Sequence, residues 1–326
     1  MNTYSHLTQL LQNELKSYSS SLKNEPAQLY DPIRYMLAIG GKRLRPLFAL
    51  IACDMFDENP EKAISVATAV ELFHNFSLIH DDIMDRAPLR RGQSTVHEKW
   101  NSNIAILSGD AVLVKAYEEL SQAEIQYLPQ LLHLFNTTAL QVCEGQQYDM
   151  DFEKKSIVSI DDYLNMITLK TAVLLGCSLQ MGAIAANTSP KNAQLLYDFG
   201  KHFGIAFQLK DDLLDVYGDT LKVGKQTGGD IISNKKTFLL LKALQKADSK
   251  QRKKLNDWLQ LKEFDTSKKV QAIKTIFEEL KVYEATELEI QHHFQKALSF
   301  LEDLDCSSIK KQQLSSFAKE LMQREY

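Results

Sequence analysis

An all-α fold is what this sequence predicts, on three observations. Glycine and proline together account for 20 of its 326 residues, about half the usual ~12%. That is too few for the many turns of a β-sandwich or barrel. Apolar residues recur at spacings of three and four through most of the chain. No convincing period-two run and no internal repeat of fixed length is present.

The helices follow in order. Leu7, Leu10, Leu11 and Leu15 mark the first. Ala63 to Met84 runs without glycine or proline and would span ~33 Å as a helix. Ile104–Gln122, Leu128–Glu153, Ile160–Ala186, Asn192–Val216 and Lys236–Ala247 are further candidates, and the tail from Ser249 keeps the helical period. Loops are expected around Gly40-Gly41, over Arg86–Ser94, at Ser189-Pro190 and over the polar stretch Gly218–Lys235. No linker rich in serine, glycine or proline divides the chain, so one domain over residues 1–326 is expected. Several core helices lack a strongly polar face, which calls for burial on more than one side.

The composition excludes some classes. A formal charge of −4 argues against a strongly basic nucleic-acid binder. Cys53, Cys143, Cys177 and Cys306 form no CxxC pair and read as reduced core thiols of a cytoplasmic protein. The N-terminus lacks a basic, then apolar, secretory pattern. No run approaches ~18 uninterrupted apolar residues, so no membrane span is expected.

Chemistry first shows at Asp81-Asp82-Ile83-Met84-Asp85. On a helix Asp81 and Asp85 share a face, ~6 Å apart along the axis. Three carboxylates in little more than a turn repel one another, unless a divalent cation neutralises them. Magnesium takes carboxylate oxygens, keeps waters and binds substrate phosphates. One such motif can equally be a solvated acidic face. The pattern returns at Asp211-Asp212-Leu213-Leu214-Asp215, again among apolar residues, and two such motifs are hard to explain as surface. If their helices face each other, they would wall a metal-holding cavity. Cations suited to phosphate accompany them: Lys42, Arg43 and Arg45 after the glycine pair, Arg90-Arg91, Lys170, Lys225 and Lys235-Lys236. Singly each is compatible with surface charge. Together they describe a site for more than one diphosphate.

The stretches GGKRLRP, ELFHNFSLIHDDIMDRAPLRRGQSTVH, LKTA, FQLKDDLLDVYGD and GKQTGGDIISNKKT span residues 40 to 237. In this order they resemble the trans-type isoprenyl diphosphate synthases, the polyprenyl synthetase family. Gln226 and Ile231 depart from the usual proline and leucine, which touches the loop's conformation more than its charges. The resemblance implies a single large helical bundle around a central cavity. It implies condensation of isopentenyl diphosphate with an allylic diphosphate by ionisation, assisted by magnesium, three ions in all. Asp81 and Asp85 would bind metal, with Asp82 behind them or as a weaker ligand. Asp211 would bind the remaining ion, and Asp212 and Asp215 would act through waters. The allylic diphosphate would meet Arg90, Lys170 and Lys225, with Lys235 nearby. Lys42, Arg45, His74 and Arg91 would hold isopentenyl diphosphate. Thr171 and Gln208 would face the reacting carbons. Leu221–Lys235 is the lid candidate, and the family implies a homodimer.

Product length is expected to depend on Phe76, with Phe73 and Ser77. One aromatic at Phe76, a small residue at Ser77 and no insertion resemble geranylgeranyl-forming more than farnesyl-forming members. Phe73 and Phe76 share a helix face and can also be plain core. His292-His293 reads as helix surface, Asp161-Asp162 as a helix start, and Lys250–Lys254 as a solvated face. A terpene cyclase would share the first motif but has no use for GGKRLRP, a head-to-head synthase differs around its motifs, and a non-catalytic partner subunit would be expected to have a damaged motif.

Overall fold

Why the chain folds as helices is visible from its first element. Helix α1 (Ser5–Ser21) buries Leu7, Leu11, Leu15 and Tyr18 on one stripe, the face that the three-and-four spacing marks. The computed structural model describes residues 3–218 and 228–323. After α1 come α2 (Ala27–Ala38), α3 (Leu44–Asp54), α4 (Ile64–Met84), α5 (Val96–Lys99), α6 (Ser102–Leu120) and α7 (Leu128–Lys154). Next are α8 (Ile160–Ile167), α9 (Val173–Ala185) and α10 (Pro190–Tyr217), then α11 (Gly229–Ile232) and α12 (Phe238–Lys246). The tail holds α13 (Ser249–Gln260), α14 (Thr266–Glu279), α15 (Val282–Glu302) and α16 (Ser308–Met322).

Two details differ from the sequence expectation. The loop after α4 contains a hairpin, β1 (Leu89–Arg90) antiparallel to β2 (Gln93–Ser94), with Arg90 opposite Gln93. Strands this short cannot display a two-residue period. The expected single helix Ile160–Ala186 is interrupted by a π-turn at Thr168–Ala172.

The chain divides into two compact units. The first comprises Met1–Ala139, Leu174–Gly200 and Leu301–Leu314. Its centre is α4, where every residue from Val66 to Phe73 is buried, as a helix without a polar face requires. Helix α6 packs on it and buries the small residues Ala105, Ser108 and Gly109 with Val112 and Ala116. Full burial of a Val, Leu or Phe side chain contributes ~1.5–3 kcal/mol, so this pair carries much of the unit's stability.

The second unit comprises Leu140–Val173, Lys201–Phe300 and Ser315–Tyr326. Helix α8 starts with a reciprocal cap between Ser159 and Asp162, which accounts for the acidic pair at 161–162. The segment after α11 is fastened on two sides. Lys269, with no exposed surface, donates to the Ile232 carbonyl at 3.2 Å and to Asn234 Oδ1 at 2.6 Å. Lys236 Nζ donates to the carbonyls of Phe152 and Lys155 at the end of α7.

The histidine pair at 292–293 is not simply surface. His293 Nδ1 lies 3.0 Å from His202 Nδ1, and burial lowers its pKa to about 4, with His292 and Lys296 adding to the effect. The cysteines are all unpaired, but only Cys53 and Cys177 are buried, whereas Cys143 is exposed. Lys250–Lys254 is exposed along its basic residues, as a solvated face should be. Among the described residues, Ile160–Ala185 is long and apolar enough to cross a membrane, but its most apolar window is 72% buried within the protein.

Candidate active site

In the first unit the site is built from the turn before α3, the end of α4 and the hairpin. Gly40 and Gly41 take φ of 83° and 125°, which side chains disfavour. A Cβ on Gly41 would also meet the Arg91 guanidinium, a flexible end that would have to move aside. Arg91 in turn donates to the Gly40 carbonyl. Arg43 is also left-handed, at φ 47°, an uncommon state for arginine. Its guanidinium pairs with the buried Glu71 and with the Leu37 carbonyl. Asn75 supports Glu71 through a 2.9 Å bond to Oε1. Arg43 is thereby spent on holding the turn, while Lys42 is exposed beside it.

Arg45 lies 3.2 Å from His74 Nε2. Burial, then Arg45, Arg91, Arg90 and Arg43, hold the His74 pKa well below its ordinary value. His74 is therefore neutral at pH 7. Arginine can only donate, so Nε2 accepts and the ring proton is assigned to Nδ1. The structure thus joins Arg45 to His74 and Arg91 to the glycine turn.

Asp81 and Asp82 occupy the last turn of α4, and Asp85 caps its end. Carboxylates oppose the dipole there, so the helix end calls for positive charge. Arg90 answers at Asp82. Its Nε is 2.9 and 2.8 Å from the two carboxylate oxygens, and a terminal nitrogen is 2.7 Å from Oδ1. A weaker contact of 3.4 Å reaches Asp81. Asp82 is 1% exposed, with both oxygens on Arg90. Arg90, expected on the allylic diphosphate, is first an anchor for this carboxylate.

Upstream on the same helix, Phe73 and Phe76 have ring centroids 5.7 Å apart. Phe73 is buried and also packs edge-on against Phe135 at 5.3 Å, so it is core. Phe76 is half-buried and packs edge-on against His80, ring centroids 4.7 Å apart. Ser77 donates to the His74 carbonyl at 2.8 Å.

The second unit carries the other set. Asp211, Asp212 and Asp215 again fall near the C-terminal end of a long helix, α10. Asp212 is buried, 6% exposed, with both oxygens engaged. Oδ2 accepts from the Tyr163 hydroxyl, and Oδ1 accepts from Gln208 Nε2 at 3.0 Å. Burial, with Asp230 adding to it, pushes its pKa up to about 7 against the lowering effect of those bonds and of Lys235. Asp215 Oδ2 accepts the Asp230 amide at 2.9 Å, and its carbonyl accepts the Gly228 amide at 2.7 Å. Asp215 therefore holds the start of α11.

Lys170 and Thr171 sit in the π-turn, an irregularity frequent at functional sites. Lys170 Nζ is 2.7 Å from Asp149 Oδ2. Burial raises the Asp149 pKa, but Lys235 and Lys170 together outweigh it and leave it lowered. Thr171 Oγ1 donates to Gln208 Oε1 at 3.2 Å. Lys225, Gln226 and the first part of the expected lid, residues 221–227 of Leu221–Lys235, lie outside the described residues.

A polyprenyl synthetase family model matches residues 26–279. The chain belongs to the polyprenyl synthetase family. It is 40% identical over 223 residues to a geranylgeranyl diphosphate synthase of Methanosarcina mazei, covering 68% of this chain and 69% of that one. A crystal structure of a geranylgeranyl pyrophosphate synthase superposes with a TM-score of 0.95 at 46% identity, covering 100% of both chains. The geranylgeranyl pyrophosphate synthetase of Pyrococcus horikoshii Ot3 gives 0.91 at 32% identity, covering 99% of each. Membership makes the chain an all-α prenyltransferase enzyme, and polyprenyl synthetases are generally magnesium-dependent.

Sequence reasoning did not find Asp149, Tyr163 or Glu71. For Asp149 a signal existed: Gly145 and Asp149 are four apart on α7. A Cβ at Gly145 would collide with the Lys170 backbone, so the glycine lets α7 approach the π-turn and bring the carboxylate to the ammonium. Tyr163 and Glu71 read as ordinary members of apolar helices, and nothing in their spacing marks them.

Proposed function

We propose that this chain condenses isopentenyl diphosphate head-to-tail with dimethylallyl, geranyl or farnesyl diphosphate, giving a short all-trans product, geranylgeranyl in preference to farnesyl. The observation that carries this is the pair of aspartate motifs at the C-terminal ends of α4 and α10. Acids concentrated where helix dipoles are already negative are stable only if cations join them. No cyclase or partner-subunit reading accounts for both motifs together with the Lys42, Arg45, His74 and Arg91 group.

The donor set fits magnesium. Asp81, Asp85 and Asp211 offer only oxygen, and among the described residues no cluster of three or more ligating side chains would cage a metal without substrate. That is how magnesium binds where phosphates complete its shell; three ions is the number we propose. When bound, the metal would neutralise the diphosphate and ease its departure. Lys42, Arg45 and Arg91 would hold isopentenyl diphosphate, with neutral His74 orienting Arg45. Lys170, Lys225 and Lys235 would receive the allylic diphosphate, and Arg90 would keep Asp82 in place. Thr171 and Gln208 would direct oxygen dipoles at the allylic carbon as positive charge develops. The isopentenyl double bond would attack that carbon, and the proton lost would pass to the departing diphosphate. Half-buried Phe76 would limit the chain's growth.

We also propose a single cytoplasmic domain that works as a homodimer. Ile106, Leu107, Val114 and Tyr117 are exposed on α6, a stripe suited to a second copy, and light scattering would show the mass. The deciding test of function is purified protein with magnesium, isopentenyl diphosphate and each primer in turn. A discrete twenty-carbon product is expected. Cyclic hydrocarbon, or no turnover with any primer, would overturn the reading.

A further inference from the structure

We propose that Tyr163 is a positioning residue for the condensation: its hydroxyl pins the Asp212 carboxylate, which fixes the Gln208 amide with its oxygen toward Thr171. The inference rests on the function proposed above and adds to it a residue that touches no substrate.

The argument follows the bonds. Tyr163 lies on α8, is 2% exposed, and donates from its hydroxyl to Asp212 Oδ2. With that oxygen taken, the carboxylate presents Oδ1 to Gln208. That oxygen accepts from Gln208 Nε2 at 3.0 Å, the only orientation open to the amide while the carboxylate is ionised and can only accept. Its Oε1 is then left for Thr171 Oγ1, at 3.2 Å. Turning the amide over would set carbonyl oxygen against carboxylate oxygen at one end. It would also direct the NH2 group to the place where positive charge is expected to develop. A glutamine amide has no intrinsic preference between these two states, so the choice is made by Asp212, and the Asp212 rotamer is held by Tyr163. Among the described residues Asp212 accepts its side-chain hydrogen bonds from Tyr163 and Gln208 and from no arginine or lysine, although the charge of Lys235 acts on it. The ring of Tyr163 is closely packed, so phenylalanine preserves shape and removes only the pinning bond.

The test is a double-mutant cycle on the full-length enzyme. Tyr163→Phe is expected to fold, with KM for both substrates within about twofold of the parent. Its kcat should fall about 10- to 100-fold, somewhat less than loss of a direct dipole at a reacting centre. Calorimetry with an unreactive thiolodiphosphate analogue of the allylic substrate should give unchanged affinity, a readout independent of turnover. In a Gln208→Ala background the same substitution should cost almost nothing, because the group it orients is gone. Asp212→Asn, which permits either amide orientation, should reproduce the kcat loss and be non-additive with Tyr163→Phe. Parental kcat in Tyr163→Phe, or a loss that persists in the Gln208→Ala background, would overturn the proposal. If Tyr163→Phe does not fold, full kcat in Asp212→Asn overturns it instead. An inactive parent enzyme would refute the proposed function, not this assignment.

Discussion

The two aspartate motifs are spelled alike and placed alike, yet their central carboxylates live in different electrostatic surroundings. Asp82 and Asp212 are both buried, and each has both oxygens engaged. Asp82 is answered by a full positive charge on Arg90. Asp212 is answered by a phenol and an amide, and its pKa rises to about 7. The first is a buried ion pair, in which burial raises the Asp82 pKa against the lowering pull of Arg90. The second is a neutral-donor cage around a carboxyl able to hold a proton near neutral pH. What differs is the partner, contributed in one case by a hairpin eight residues downstream and in the other by a helix 49 residues upstream. A DDxxD spelling therefore fixes where carboxylates stand without fixing their charge.

The comparison can be broken most forcefully at the outer aspartates. Asp81→Ala and Asp211→Ala should each lower kcat by about 10³-fold or more, given the share of charge stabilisation a bound metal supplies. Single-turnover assays at saturating magnesium would measure it, and near-parental rates in either variant would separate the two motifs in function as well as in charge. Arg90→Gln should be the most damaging to stability. It strands a buried carboxylate, which costs about 3–5 kcal/mol, to be read from urea unfolding. Tyr163→Phe should cost only about 1 kcal/mol by the same measurement.

Product length sharpens the contrast in a different way. The positions five and four before each motif are Phe76-Ser77 and Ala206-Phe207. Phe76→Ala should lengthen the product by one or more five-carbon units, and Phe207→Ala should not. Chromatography of the dephosphorylated products would show this, and an unchanged distribution in active Phe76→Ala would remove Phe76 from the role. The last contrast is in pH. Burial pushes the Asp212 carboxyl up to about 7 in the folded protein, against about 3.9 in an unfolded chain. The native state therefore binds the extra proton between these values, and the group's contribution falls as pH rises from about 4 to about 7, then levels. The slope is up to about 1.4 kcal/mol per pH unit. In chelator-treated protein, Asp212→Asn should flatten that part of the stability curve.

Much of this was legible in the sequence for identifiable reasons. Period and scarce turn residues predict α1, α4, α7 and α10, because a helix that buries an apolar stripe must display it. The aspartates, Lys42, Arg45 and Lys170 stand out because charge is unusual where they occur, whereas His74 is marked only by the family resemblance. The hairpin at Leu89–Ser94 was not legible, being too short for a pattern. Nor were Tyr163, Glu71 or Arg43's inward turn, since a buried tyrosine or glutamate looks like any other until its partner arrives from elsewhere in the chain. His293 was misjudged for the same reason: His202, its partner, is 91 residues away.

The π-turn at Thr168–Ala172 has a consequence for how this sequence can vary. Such a turn is equivalent to one residue inserted into an α-helix. Removing Leu169 would let the helix close regularly, and because the wide turn absorbs its extra residue within about one turn, the segments on either side would stay close to their present phase. The change would be local. Lys170 and Thr171 would lose the irregular backbone from which they now reach Asp149 and Gln208. Point substitutions here cost a side chain at a time. A one-residue deletion would alter how both side chains are presented at once, so the length of this segment is under tighter constraint than its letters.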